Sequence, residues 1–236
     1  MVSQYIPLSD VNKNTPIVAD KNSKELLSLA RKVATTEASV MVLGPSGSGK
    51  TTLVRNLATV AAAEGKRVLM LDLDPQQSLR RWWAGRTSEQ PTMLEDDPTP
   101  QMLKQTLKMV EDHFDFVLID TPPAAPEWLG EIVESADLAL IPVKPSPDDL
   151  RAVGATLRSL SGLAYAFVMM MTPRAKITEE AARTLAQHGR VAPVNIGIRV
   201  SYAETGATGE GVCETKDKKA SEEMTELWDY VSNLAS

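Results

Sequence analysis

Val40-Met41-Val42-Leu43-Gly44-Pro45-Ser46-Gly47-Ser48-Gly49-Lys50-Thr51-Thr52-Leu53-Val54 sets an apolar strand, a glycine-rich loop and the start of a helix in direct succession. Glycines in such a loop let the backbone curl until successive N–H groups and the helix N-terminus face an anion. In the spacing Gly44-x-x-x-x-Gly49-Lys50-Thr51, Lys50 reaches the β and γ oxygens of a nucleoside triphosphate, and the Thr51 hydroxyl ligates Mg²⁺. The stretch predicts ATP with Mg²⁺ as ligand. GTP is disfavoured, because no Asn/Thr-Lys-x-Asp base-reading motif follows a late strand.

Outward from the loop, apolar runs alternate with helical periodicity. Strands are expected at Ser39 to Leu43, Arg67 to Leu71, Phe116 to Ile119, Leu138 to Val143, Ala164 to Met171 and Val194 to Ile198. Helices are expected at 50–63, 77–86, 100–113, 148–161, 177–188 and 218–234, with another at 24–33 before the first strand. Strands apolar on both faces belong to a parallel sheet buried between helices, so the fold class is α/β, a doubly wound and mainly parallel sheet of the P-loop type. A chain of 236 residues suits one such domain, read here as 38–236, preceded by an arm and helix over 1–37. Residues 87–100, with Pro91, Pro98 and Pro100, read as an exposed connection.

Composition narrows the setting. The apolar runs are strand-length, well short of the roughly 20 residues a membrane span needs. A single cysteine, Cys213, and no secretory signal point to the cytoplasm. The net charge of −6 excludes a protein basic over its whole surface. From 151 to 199, however, seven Lys or Arg face only two acids, Glu179 and Glu180.

Hydrolysis needs a carboxylate at a neighbouring strand tip to hold the metal and a group to orient water. Phe116-Val117-Leu118-Ile119-Asp120 ends an apolar strand on Asp120, the natural metal-side carboxylate. Val68 to Leu71 ends in Asp72-Leu73-Asp74-Pro75-Gln76, whose acids alternate about the strand end, one for the metal shell and the other for water. His113 and His188 lack metal-ligand spacing and read as structural, Trp82-Trp83 as helix packing, and Cys213 as a thiol without a histidine partner.

Together, Gly47 to Thr52, Val68 to Gln76, Phe116 to Pro123 and Ala136 to Pro147, in this order and spacing, resemble the ParA/MinD family of ATPases. The resemblance implies that Lys50, Asp74 and Asp120 are catalytic, with Asp74 orienting water. It implies Thr51, Asp120 and Asp72 at the metal, and Gly47, Ser48, Gly49, Lys50, Thr51, Thr52 and Pro147 at the nucleotide. It also implies an ATP-sandwich homodimer, slow partner-stimulated hydrolysis and a nucleoid-associated place in the cytoplasm. A ParB-like adaptor would go with segregation of plasmid or chromosome DNA, or a cargo adaptor with McdA-like positioning of carboxysomes. Nonspecific DNA would bind through basic residues of the C-terminal half, here Arg174, Lys176, Arg183, Arg190 and Arg199. The acidic last helix, Glu222 to Asp229, speaks against a membrane partner.

One departure stands out. Members of that family usually carry a lysine where this chain has Pro45, and it reaches the partner's phosphates. Lys144 and Arg151, flanking Pro145-Ser146-Pro147-Asp148, are the expected substitutes. Two other readings are a small-molecule P-loop kinase, with Arg80, Arg81 and Arg86 as a lid, and a nucleotide-binding scaffold that does not hydrolyse. The strand ends at 172–174 and 194–199 are the expected source of adenine contacts.

Overall fold

Every strand that carries the site is buried along its whole length, and helices cover the sheet on both faces. The computed structural model describes residues 5–6, 38–96, 98–123, 129–160 and 162–235. In chain order these form β1 (Tyr5–Ile6), β2 (Ala38–Val42), α1 (Lys50–Ala63), β3 (Val68–Asp72), α2 (Ser78–Ala84), β4 (Thr92–Leu94), α3 (Pro100–Val110) and β5 (Phe116–Asp120). There follow α4 (Leu129–Val133), β6 (Leu138–Val143), α5 (Pro147–Arg158), β7 (Ala164–Thr172), α6 (Lys176–Ala186), β8 (Arg190–Gly197), α7 (Ser201–Thr208), a 3₁₀ turn (Val212–Glu214) and α8 (Lys218–Ala235).

The described strands build one parallel sheet in the order β1-β4-β3-β5-β2-β6-β7-β8. The order reverses at β2, with β3, β4 and β5 to one side and β6, β7 and β8 to the other. Ligands of such sheets lie beyond the carboxyl strand ends at this reversal, where helices diverge and leave a crevice. The glycine-rich loop leaves the sheet at that point.

Period-two alternation divides the core. Val40, Val42, Met70, Phe116 and Leu118 pack under α1 and α8, while Met41, Leu69, Leu71, Val117 and Ile119 pack under α3, α5 and α6. Trp228 of α8 lies edge-on to Phe116 with ring centroids 4.7 Å apart, and its indole N–H donates to Glu64 at 2.9 Å. Burying a side chain of this kind is worth roughly 3 kcal/mol, which anchors the last helix to the sheet. Trp82 and Trp83 pack as expected, both buried in α2.

The structure corrects one expectation and refines others. Residues 87–100 are not wholly an exposed connection: Thr92, Met93 and Leu94 are buried and pair with β3. Tyr5 and Ile6 pair in turn with Met93 and Leu94, so part of the leading arm closes this sheet edge. The helix expected at 24–33 lies outside the described residues. The short helices α4 and α7 were not expected at all. Elsewhere the ends shift by a few residues, most at β8, which begins at Arg190 rather than Val194.

Candidate nucleotide site

The backbone of the loop is already shaped for an anion. Leu43 N–H donates to the Leu140 carbonyl at 2.9 Å, the last ladder bond before the chain leaves the sheet, and Leu53 N–H donates to Gly49 O at 2.9 Å, opening α1. Between them Gly47 and Gly49 take φ of +72° and +104°, conformations that an L side chain resists. A Cβ on Gly49 would also meet Met170 Cε at 3.1 Å. The first-turn N–H groups of α1 thus face the cleft with no side-chain cap.

Lys50 is buried and its ammonium donates to the carbonyls of Gly44 at 2.9 Å and Pro45 at 3.2 Å. Burial pulls its pKa below the ordinary lysine value, against the opposing pull of Asp120 and Asp74. The Thr51 hydroxyl donates to Asp120 Oδ2 at 2.6 Å. Asp120 is fully buried, and burial pushes its carboxyl up to about 7, with the like charges of Asp72 and Asp74 adding to the rise. Its Oδ1 and the Ser48 hydroxyl are buried without partners among the described residues. Unpartnered buried oxygens beside an open cradle of N–H groups are what a Mg²⁺–phosphate ligand completes. No three His, Cys, Asp or Glu side chains group as a metal site among the described residues. Thr51 and Asp120 would hold the Mg²⁺, and it would supply charge neutralisation at the β and γ oxygens.

The two acids after β3 differ in what they touch. Asp74 is half-buried on the cleft wall, and its Oδ1 accepts from Gln76 N–H at 2.9 Å. That position suits a group that orients water. Asp72, expected to support the metal shell, accepts from the backbone N–H groups of Asp74 at 3.2 Å and Arg80 at 3.0 Å. It holds the entrance of α2 in place. Because Asp72 and Asp120 are register partners on adjacent strands, its charge still reaches Asp120 through space.

Lys144 and Arg151 part company here. Lys144 is half-buried, and its ammonium lies 3.8 Å from where a Cβ on Gly47 would stand, so it already sits against the phosphate loop of its own chain. Arg151 is exposed and pairs with Asp148 at 3.0 Å. Pro147 opens α5 in solvent and is not part of the cleft wall; Ser146 caps that helix by accepting from Asp149 N–H at 3.1 Å. We expect Lys144→Ala to weaken ATP-dependent self-association about tenfold, or about 1.4 kcal/mol, and Arg151→Ala to leave it within twofold. Light scattering against protein concentration measures both; equal effects would remove the distinction.

The lid reading loses two of its three arginines. Arg80 donates to the carbonyls of Glu95 at 2.8 Å and Leu94 at 3.1 Å. Arg86 is buried, paired with Glu214 at 2.8 Å and bonded to the carbonyls of Gly209 and Gln90. Of the three, Arg81 alone reaches the cleft wall.

The five basic residues expected on one surface are dispersed. Arg174, Lys176 and Arg199 line a second cavity at the carboxyl ends of β7 and β8, the stretch expected to grip adenine. Arg199 is held there by Glu223. Lys176 lies 3.4 Å from Glu180, and Arg183 is exposed on α6. Arg190 begins β8 and so lies at the opposite end of the sheet, about 23 Å away along the strand. Residues not singled out in the sequence also line the cleft, among them Arg55, Met171 and Gly206, together with Trp82, which was read only as helix packing. Of these, Arg55 carried a signal, a charge inside an otherwise apolar stretch of α1.

Comparison with known proteins agrees with this geometry. Residues 40–212 match the CobQ/CobB/MinD/ParA nucleotide binding domain. The maintenance of carboxysome distribution protein A of Gloeobacter kilaueensis is 34% identical over 176 residues, spanning 72% of this chain and 79% of that protein. Among solved structures, apo McdA from Cyanthece superposes with a TM-score of 0.68 at 18% identity, covering 81% of this chain and 98% of that one. The septum site-determining protein MinD of Pyrococcus horikoshii, complexed with Mg-ADP, gives 0.67 at 20% identity over 84% and 97%. With a phosphate loop at the sheet reversal, a buried strand-end carboxylate bonded to its threonine, and these matches, the chain belongs to the CobQ/CobB/MinD/ParA nucleotide-binding family of P-loop ATPases.

Proposed function

We propose that this chain is an ATP-driven positioning switch that pairs with a second copy over Mg²⁺–ATP, binds DNA without sequence preference in that state, and lets go after hydrolysis. The observation that carries the reading is the division of labour at the strand ends, with Asp120 buried against Thr51 and Asp74 open to the cleft. A site that only stored nucleotide would have no use for a cleft-facing carboxylate beside the phosphate loop. The likeness to a carboxysome distribution protein favours a protein cargo carried by an adaptor over plasmid or chromosome segregation with a ParB-like adaptor.

DNA contact falls to exposed Arg174 and Lys176, which lie at the same end of the sheet as the phosphate loop, with Arg183 near them in sequence. A dimer placing about four such side chains on phosphates loses roughly 10²-fold in DNA affinity between 50 and 200 mM salt. The test is gel filtration and retention of random-sequence DNA with ATP, ADP or neither. The ATP form should be dimeric and DNA-bound with that salt slope. Asp74→Ala should cut turnover about 100-fold and hold the protein in that form. A monomer whose turnover needs a phosphate acceptor would overturn the reading in favour of a kinase.

A further inference from the structure

Helix α1 carries two charges, Lys50 and Arg55. Lys50 has its place in the phosphate loop, whereas Arg55 is 7% exposed and unexplained by the fold. Its Nη2 donates to the backbone carbonyl of Tyr202. Its Nε is buried with no hydrogen-bond partner among the described residues. No carboxylate among them offsets the charge, and burial alone pulls the guanidinium well below its ordinary value, to about 10. A lone backbone carbonyl is poor compensation for a buried guanidinium, which ordinarily sits opposite an anion.

The missing anion has an obvious source. Arg55 follows Thr52 by three residues and Thr51 by four, so all three share one face of α1, and all three line the nucleotide cleft. The opposite wall makes room for it: a Cβ on Gly206 of α7 would lie 2.6 Å from Arg55 Nη1. Glycine there leaves the guanidinium where it is, at the edge of the cleft.

We propose that Arg55 is a phosphate-binding residue of this cleft, donating from its own chain to non-bridging phosphate oxygens of the bound nucleoside di- or triphosphate. It lies further along α1 than Lys50 and Thr51, which serve the β and γ groups, and so acts on the α-phosphate side. It also adds positive charge next to a loop in which Pro45 supplies none. The inference rests on the nucleotide reading of the cleft, and the test separates the two.

A fluorescent N-methylanthraniloyl ADP titration, with and without Mg²⁺, is run on the full chain alongside unfolding without nucleotide. Arg55→Met should weaken ADP binding ten- to hundredfold and raise the unfolding midpoint of the ligand-free protein, since it removes an uncompensated buried charge. Arg55→Lys should recover part of the affinity. Gly206→Ala, which displaces the guanidinium without removing it, should weaken ADP binding in the wild-type background and do nothing further in Arg55→Met. A merely structural arginine predicts the reverse, namely a ligand-free protein that unfolds earlier with ADP affinity unchanged, and that result overturns the proposal while the nucleotide reading stands. Wild type that fails to bind ADP at all would take both down.

Discussion

Lys50→Ala should lower affinity for ATP and ADP roughly 10³-fold while leaving the ligand-free protein folded. The ammonium now donates to Gly44 O and Pro45 O, so the charge is held inside the loop at the place where phosphate oxygens arrive. Two charge-assisted hydrogen bonds to phosphate, at about 2 kcal/mol each, sum to about 4 kcal/mol, which is close to three decades of affinity. Stability without ligand should change little, because the substitution removes a desolvated charge together with the two bonds that compensate it. Calorimetric titration against wild type measures the loss. An affinity within tenfold of wild type would mean that the loop backbone binds unaided and that Lys50 has another role.

Much of this site was legible because its parts are local in sequence. Gly44 to Thr51 is contiguous, and Asp120 and Asp74 each mark the end of an apolar run, so strand, turn and chemistry arrive together. What was not legible depends on tertiary neighbours. That Asp72 also ties down the entrance of α2 shows only when the turn brings the Arg80 N–H onto it at 3.0 Å. The excess of basic residues from 151 to 199 is a property of the chain, but a parallel strand carries Arg190 to the far end of the sheet. Strand β4 is three residues long between prolines at 91 and 98, too short for any apolar period to show. Lys144 and Arg151 looked equivalent as charges, and only packing against Gly47 tells them apart.

Asp120 is where function and stability pull in opposite directions, and Asp120→Asn should expose both. The folded carboxyl titrates near 7, against about 3.9 in the unfolded chain. Between those values the native state keeps a proton that the unfolded state gives up. Ligand-free stability therefore falls as pH rises from about 4 to about 7, and levels off above. Asparagine can keep the acceptor for Thr51 but carries no charge to bury. In EDTA, the variant should match wild type near pH 5, where the cost of its buried amide donors offsets the linkage already lost, and exceed it by about 2.5 kcal/mol at pH 8. Every other carboxylate titrates in both proteins, so the difference between the two urea-unfolding curves isolates this one. The same variant should lose the Mg²⁺ dependence of nucleotide affinity, and turnover should fall roughly 10³-fold as the metal loses the charge of this carboxylate. A wild type that is no less stable than the variant at pH 8 would show that Asp120 stays ionised at little cost, with a compensating group near its unpartnered Oδ1. A gain in stability accompanied by loss of the metal effect would instead show that the buried carboxylate destabilises the ligand-free fold and is retained for the ion.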